Sequence, residues 1–149
     1  MFKQVLAAGA LAAVVLASGC ASVEMASPEM DTSAKSYAVK PSKANIYVYR
    51  NEVMGSALKM PVALNGRMVG DTASKTFLLL EVDPGSHTIV SKTENDAVLK
   101  VDAVAGRNYF VWQEVKMGIM VARSSLHLVD EATGKAGVAE CKMIQPLAH

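Results

Sequence analysis

From Ala44 onward, hydrophobic and polar residues alternate with period two, in short bursts separated by turn-forming residues. Alternation sends successive side chains to opposite faces of an extended chain, so it predicts strands half-buried in a sheet. Ile46-Tyr47-Val48-Tyr49 is the first, a β-branched and aromatic run ended by Arg50-Asn51-Glu52. Pro61-Val62-Ala63-Leu64 leads into Asn65-Gly66, two residues that tolerate positive φ and favour a tight hairpin, and Arg67-Met68-Val69-Gly70 is the return strand. Thr76 to Val82 is an apolar run short enough for a buried strand, closed by the turn Asp83-Pro84-Gly85. His87 to Val90, the polar turn Lys92–Asp96, Val98 to Ala103, Asn108 to Gln113, Ile119 to Ala122 and Leu126 to Val129 continue the series. Asp130 to Glu140 is the one helical candidate, broken by Gly134 and Gly137. Strands and turns at this spacing predict an all-β fold, an antiparallel β-sandwich of seven or eight short strands over residues 44–145. Ile46, Val48, Leu64, Leu78, Leu80, Ile89, Val101 and Phe110 are the candidate core; a register change of one residue would exchange the faces.

The first twenty residues follow a different pattern. Met1 to Gln4 carries one positive charge, at Lys3, and Val5 to Ala17 is an uncharged run of Val, Leu, Ala and one Gly. As a helix this run would be about 20 Å long, short of the roughly 30 Å hydrocarbon core of a bilayer. That length suits the apolar region of a cleavable export signal, a signal helix removed on maturation, better than a stable span. Leu16-Ala17-Ser18-Gly19-Cys20 follows, with small residues at 17 to 19 and then a thiol. This order resembles the lipobox of bacterial lipoproteins, in which cleavage falls between Gly19 and Cys20 and Cys20 carries the lipid. The pattern usually has Leu three places before the cysteine; here that place holds Ala17, with Leu16 one step earlier. The competing reading is an ordinary signal peptide cleaved after Ala17 or Gly19. By resemblance, Ala21 after the cysteine, where Asp commonly retains lipoproteins at the inner membrane, points to the periplasm-facing leaflet of the outer membrane.

Residues 21–43 are rich in Ser, Ala, Pro, Met and charge without sustained periodicity, and Pro28 and Pro41 oppose regular structure. A helix around Val23–Met30 would be interrupted by Pro28, so residues 20–43 are expected to be an acylated N-terminus and flexible tether spanning roughly 25–30 Å.

Composition narrows the function classes. The chain has 149 residues, enough for one domain, and a formal net charge of +1. Lys3 is the only charged residue ahead of Cys20, so basic and acidic residues balance in the mature part. A balanced surface lacks the clustered Lys and Arg that displace phosphate counterions, which argues against nucleic acid as a partner. With Cys20 acylated, Cys141 has no partner within the chain; it reads as a small buried hydrophobe, with a disulfide to another chain as the alternative.

The stretch Pro61-Val-Ala-Leu-Asn-Gly-Arg-Met-Val-Gly70, followed by Leu80-Glu-Val-Asp-Pro-Gly-Ser-His-Thr-Ile-Val90, resembles PEGA-type sandwich repeats. Extended back to Ala44-Asn-Ile-Tyr-Val-Tyr-Arg50 and forward to Gly106-Arg-Asn-Tyr-Phe110, it is similar to the lipoprotein family called domain of unknown function 2846. The resemblance covers about residues 44–145 and rests on turn and strand motifs. It implies a transthyretin-like or carboxypeptidase-regulatory-like β-sandwich, a scaffold usually used for binding or spacing, and no particular chemistry.

The residues themselves offer little chemistry. His87, His127 and His149 have no local chelating spacing, and the nine methionines are scattered without Met-x-x-Met clusters. Met25 and Met30 lie in the expected tether, while Met54, Met60, Met68, Met117, Met120 and Met143 suit strands or core. Ser124-Ser125 stands too close to His127 along one strand for a catalytic triad, and Glu81, Asp83, Asp96 and Asp102 fall at strand ends and turns. Tyr47 with Tyr49, and Phe110 with Trp112, share faces within their strands, either as core or as an aromatic patch for a ligand. No catalytic residue, metal site or cofactor is therefore assigned. The expectation is a lipid-anchored envelope protein with a noncatalytic binding or structural role, an envelope protein as candidate partner and no assigned oligomeric state. The rival is an enzyme or enzyme accessory acting on envelope polymers. Cys20→Ala should abolish palmitate labelling and leave unprocessed precursor in the membrane; normal labelling of the variant would contradict the acyl-acceptor role.

Overall fold

The computed structural model describes residues 23–53, 58–117 and 122–147. The signal segment, Gly19, Cys20, Met54, Met120 and His149 lie outside the described residues, as does most of the Ile119–Ala122 strand expectation. Nine strands form two sheets: β1 (Ala44–Arg50), β2 (Met60–Leu64), β3 (Arg67–Thr72), β4 (Thr76–Val82), β5 (Gly85–Lys92), β6 (Asp96–Ala103), β7 (Asn108–Met117), β8 (Ala122–Val129) and β9 (Lys142–Met143). The first sheet runs β8-β7-β1-β4-β9 and the second β3-β2-β5-β6. The all-β sandwich expected from the alternation is therefore present. Its pairing is not wholly antiparallel, because β1 runs parallel to β7, and β4 runs parallel to β9. Parallel neighbours must be joined by a crossover, and strands 1 and 7 are linked through the whole second sheet.

Turn chemistry acts where alternation placed it. Asn65 (φ 50°) and Gly66 (φ 81°) both take left-handed conformations between β2 and β3, as a two-residue primed turn requires. Asn65 also ties this turn to β5, since its Oδ1 accepts from the Thr88 N–H at 2.9 Å. Between the sheets, Ala44, Ile46, Val48, Val62, Leu78, Leu80, Ile89, Val101 and Val111 form one buried cluster, with Leu64 partly buried against it. Phe110 is buried as well, but in a second cluster on the opposite face of its sheet.

That second cluster explains the two helices. Tyr47, Tyr49, Phe77 and Phe110 point away from the second sheet, and helices α1 (Pro28–Ala34) and α2 (Glu131–Ala139) bring Ala34 and Val138 onto them. The expected tether is thus corrected: from Val23 on, the chain is part of the fold. Pro28 starts α1 and does not break it, because proline suits the first helical turn, where its missing N–H costs nothing. Ser27 caps the helix by accepting from the Met30 N–H. Asp31 fixes α1 to the sheet edge, its Oδ1 accepting from the Met143 N–H at 2.8 Å. Tyr47 Oη donates to the Ala34 carbonyl at 2.7 Å, and Asn108 Nδ2 donates to the Tyr37 carbonyl at 2.8 Å. Ahead of the helix, Ala26 N–H donates to the Met143 carbonyl and Gln145 N–H to the Glu24 carbonyl, so residues 24–26 extend the sheet beyond β9.

Gly134 and Gly137 were expected to break the C-terminal helix; α2 instead runs through both. A Cβ at Gly134 would fall 2.1 Å from Phe110 Cγ, and one at Gly137 would fall 2.2 Å from Tyr49 Cε2. The glycines let the helix backbone lie directly on two aromatic rings, a packing gain that outweighs their low helix propensity of roughly 1 kcal/mol each. Gly134→Ala should therefore lower the unfolding free energy by about 1–3 kcal/mol through overpacking. Gly66→Val should also cost more than about 1 kcal/mol, through its backbone alone, because space beside Gly66 is open. Thermal midpoints equal to the parent's would contradict either account.

Candidate binding surface

Register sorts the outer, helix-covered face of the first sheet into rows. Tyr47 lies opposite Phe110 and Leu79, and Phe110 opposite Val129. The next row is His127, Trp112, Tyr49 and Phe77 across β8, β7, β1 and β4. Helix α2 covers Phe110 and Tyr49 but stops short of the row's end, so Trp112 and His127 remain half-exposed, their rings 5.1 Å apart and tilted by 31°. Glu114 holds His127 Nε2 at 2.7 Å. Glu52 is held on two sides: Trp112 Nε1 donates to its Oε2 at 3.2 Å and the Val115 N–H to its Oε1 at 2.8 Å. The result is an aromatic corner flanked by two positioned carboxylates. From the alternation alone, Trp112 and Phe110 share one face and His127 sits on an outward strand, but they are not joined; their pairing depends on the antiparallel register between β7 and β8.

Behind this corner the sandwich interior turns polar, a feature the sequence reading missed because it took Arg50 as a strand terminator. Arg50 is fully buried, and its Nη1 donates to the carbonyls of Leu58 (2.9 Å) and Thr72 (3.0 Å). Burial pulls the guanidinium's pKa down from its ordinary value, and the nearby Glu52 carboxylate opposes that shift. Thr72 Oγ1 donates to Gln113 Oε1, Gln113 Nε2 donates to Ser91 Oγ at 2.6 Å, and Ser91 and Ser124 share a hydrogen bond of 2.7 Å. Each link joins a strand of one sheet to a strand of the other. Ser124, weighed above as a nucleophile, is thereby an interior cross-link.

Several of the other singled-out residues are structural. His87 bridges two turns, with Nδ1 2.9 Å from Asn65 Nδ2 and Nε2 2.7 Å from the Asp83 carbonyl, so a neutral ring donating through Nε2 satisfies both. Glu81 pairs with Lys40, Asp83 with Lys43 and Asp96 with Lys92. Met60 and Met143 are core, whereas Met25, Met30, Met68 and Met117 are exposed. Cys141 is buried with its thiol donating to the Arg50 carbonyl, and burial pushes its pKa up to about 12. Among the described residues, no group of three His, Cys, Asp or Glu is placed to hold a metal ion. A hollow of about 320 Å3 between α1 and the sheet is lined by Lys40, Glu81, Asn45 and Tyr47. Its polar groups are engaged locally: Lys40 with Glu81, Asn45 with the Ala38 carbonyl, and Tyr47 with that of Ala34.

The fold and this surface define a two-sheet β-sandwich with a helical cover over one aromatic face. The chain belongs to the family described as Protein of unknown function (DUF2846), whose model matches residues 40–125. It is also 32% identical over 145 residues to an uncharacterized protein of Haemophilus influenzae, covering 95% of this chain and 86% of that one. No solved structure matches. Gln113→Leu should cost about 1–3 kcal/mol in urea unfolding, because the Thr72 and Ser91 hydroxyls would each lose one interior partner, keeping only the Met60 carbonyl and Ser124; an unchanged midpoint would contradict the cross-link.

Proposed function

We propose that this protein is a lipid-anchored lipoprotein of the cell envelope, facing the periplasm from the outer membrane, and that its sandwich acts noncatalytically by binding an envelope protein. The anchor is read from the ordered run of charge, apolar segment, small residues and Cys20. Among the described residues, no helix is long and apolar enough to cross a membrane.

One observation carries the binding role: Trp112 and His127 stand half-exposed where the helical cover ends, on a rigid sheet, with Glu52 and Glu114 held beside them. Aromatic side chains with few rotamers bury large area at low entropic cost, the behaviour of interface anchors. In the hollow beside α1, Lys40 pairs with Glu81 while Asn45 and Tyr47 bond the Ala38 and Ala34 carbonyls, which favours a structural role over chemistry there. A photo-crosslinking residue at His127 in the full-length protein in cells should capture a defined envelope protein, while the same residue at Lys100 on the second sheet should not. Equal capture at both positions, or none at His127, would overturn the assignment of this corner.

A further inference from the structure

We propose that the sheet edge formed by residues 24–26 and 143–147 lies directly against the phospholipid headgroups, so that the domain is held edge-on to the membrane and the Trp112–His127 corner faces away from it. The inference rests on the reading of Cys20 as the acylated residue. Whatever path residues 21 and 22 take, three residue steps from Cys20 to Val23 span at most about 11 Å. A leaflet's headgroup layer is itself roughly 5–7 Å thick. Val23 thus stands at or just beyond that layer.

From Val23 on, slack is removed by the fold. Val23 packs against the main core, Glu24 accepts from Gln145 N–H at 2.9 Å, and Ala26 N–H donates to Met143 at 3.0 Å. The surface at this exit has interfacial chemistry. Met25 is 42% exposed and Leu147 49% exposed. Lys59 lies with Val23 and Leu147 around one hollow of about 470 Å3, and Lys142 with Met25 and Pro28 around another of about 300 Å3. Apolar side chains can enter the headgroup boundary while lysines meet phosphates. Glu24, Glu29 and Asp71 offset those lysines, so the acyl anchor and not net charge supplies the affinity. At roughly 4.8 Å per strand, β8 lies about 20 Å from this edge across the sheet. The geometry presents His127 away from the bilayer.

The test uses the full-length lipidated protein in vesicles of phosphatidylethanolamine with a minority of phosphatidylglycerol. An environment-sensitive fluorophore is placed through Leu147→Cys or, at the opposite edge, Leu128→Cys, with a nitroxide on the lipid headgroup as quencher. Quenching should be several-fold stronger at position 147 than at 128. A Gly-Ser insertion of about ten residues between Ala21 and Ser22, adding roughly 30 Å of contour, should erase most of that difference. A protein that floats with the vesicles but is quenched equally at both positions overturns the edge contact alone. A protein that takes up no palmitate and does not float removes the anchored reading, and this proposal with it.

Discussion

Tyr47 and Phe110 stack at 5.1 Å between centroids, with Phe77 and Tyr49 beside them, on the face of the first sheet that the second sheet does not touch. Left open, this face would expose four aromatic side chains, each worth about 1.5–3 kcal/mol when buried. A two-layer sandwich has no means of covering it. The chain supplies a third layer from its two ends, α1 and the segment to Tyr37 on one side, α2 and Cys141 on the other. Tyr37 completes the aromatic packing, its ring 5.4 Å from Tyr47 and 5.8 Å from Phe110. The need to cover this face accounts for the N-terminal segment docking, for glycines within a helix, and for the uncovered corner where the cover ends.

The two ends of the space between the sheets solve different problems. One end of the space between the sheets is apolar, built on Ile46, Val48, Leu78 and Ile89, and tolerates changes that preserve volume. Toward Arg50 the interior becomes a hydrogen-bonded chain through Thr72, Gln113, Ser91 and Ser124, which specifies partners atom by atom. That chain fixes β7 and β8 against the second sheet directly beneath Trp112 and His127. A recognition surface gains from such backing, because side chains on locked strands lose less freedom on binding.

Strand positions and the Asn65-Gly66 turn were legible because both depend on neighbours in sequence: alternation for the strands, positive φ for the turn. Seven of the eight candidate core residues join the main cluster or pack on it. What escaped depends on contacts distant in sequence. Pro28 reads as an interruption until Ser27 is seen capping the turn it begins, and Gly134 and Gly137 read as breakers until the rings of Phe110 and Tyr49 fill the space their missing side chains leave. Arg50 ends an apolar run and looks like a boundary; the carbonyls of Leu58, just ahead of β2, and of Thr72 on β3 help make its burial tolerable. The parallel pairing of β1 with β7 has no local signature at all.

That pairing sets an order of events in time. β1 is the central strand of its sheet and is buried along its whole length. Synthesised first among the strands, it finds its first neighbour at Thr76–Val82 and its second only at Asn108–Met117. A chain emerging from its N-terminus therefore carries an apolar strand with both edges open until β4 appears and one edge open until β7 appears. Closing loops of that size is slow, and an unpaired apolar strand is a template for wrong association. Late completion of its central strand is thus built into this topology, whatever the finished protein binds.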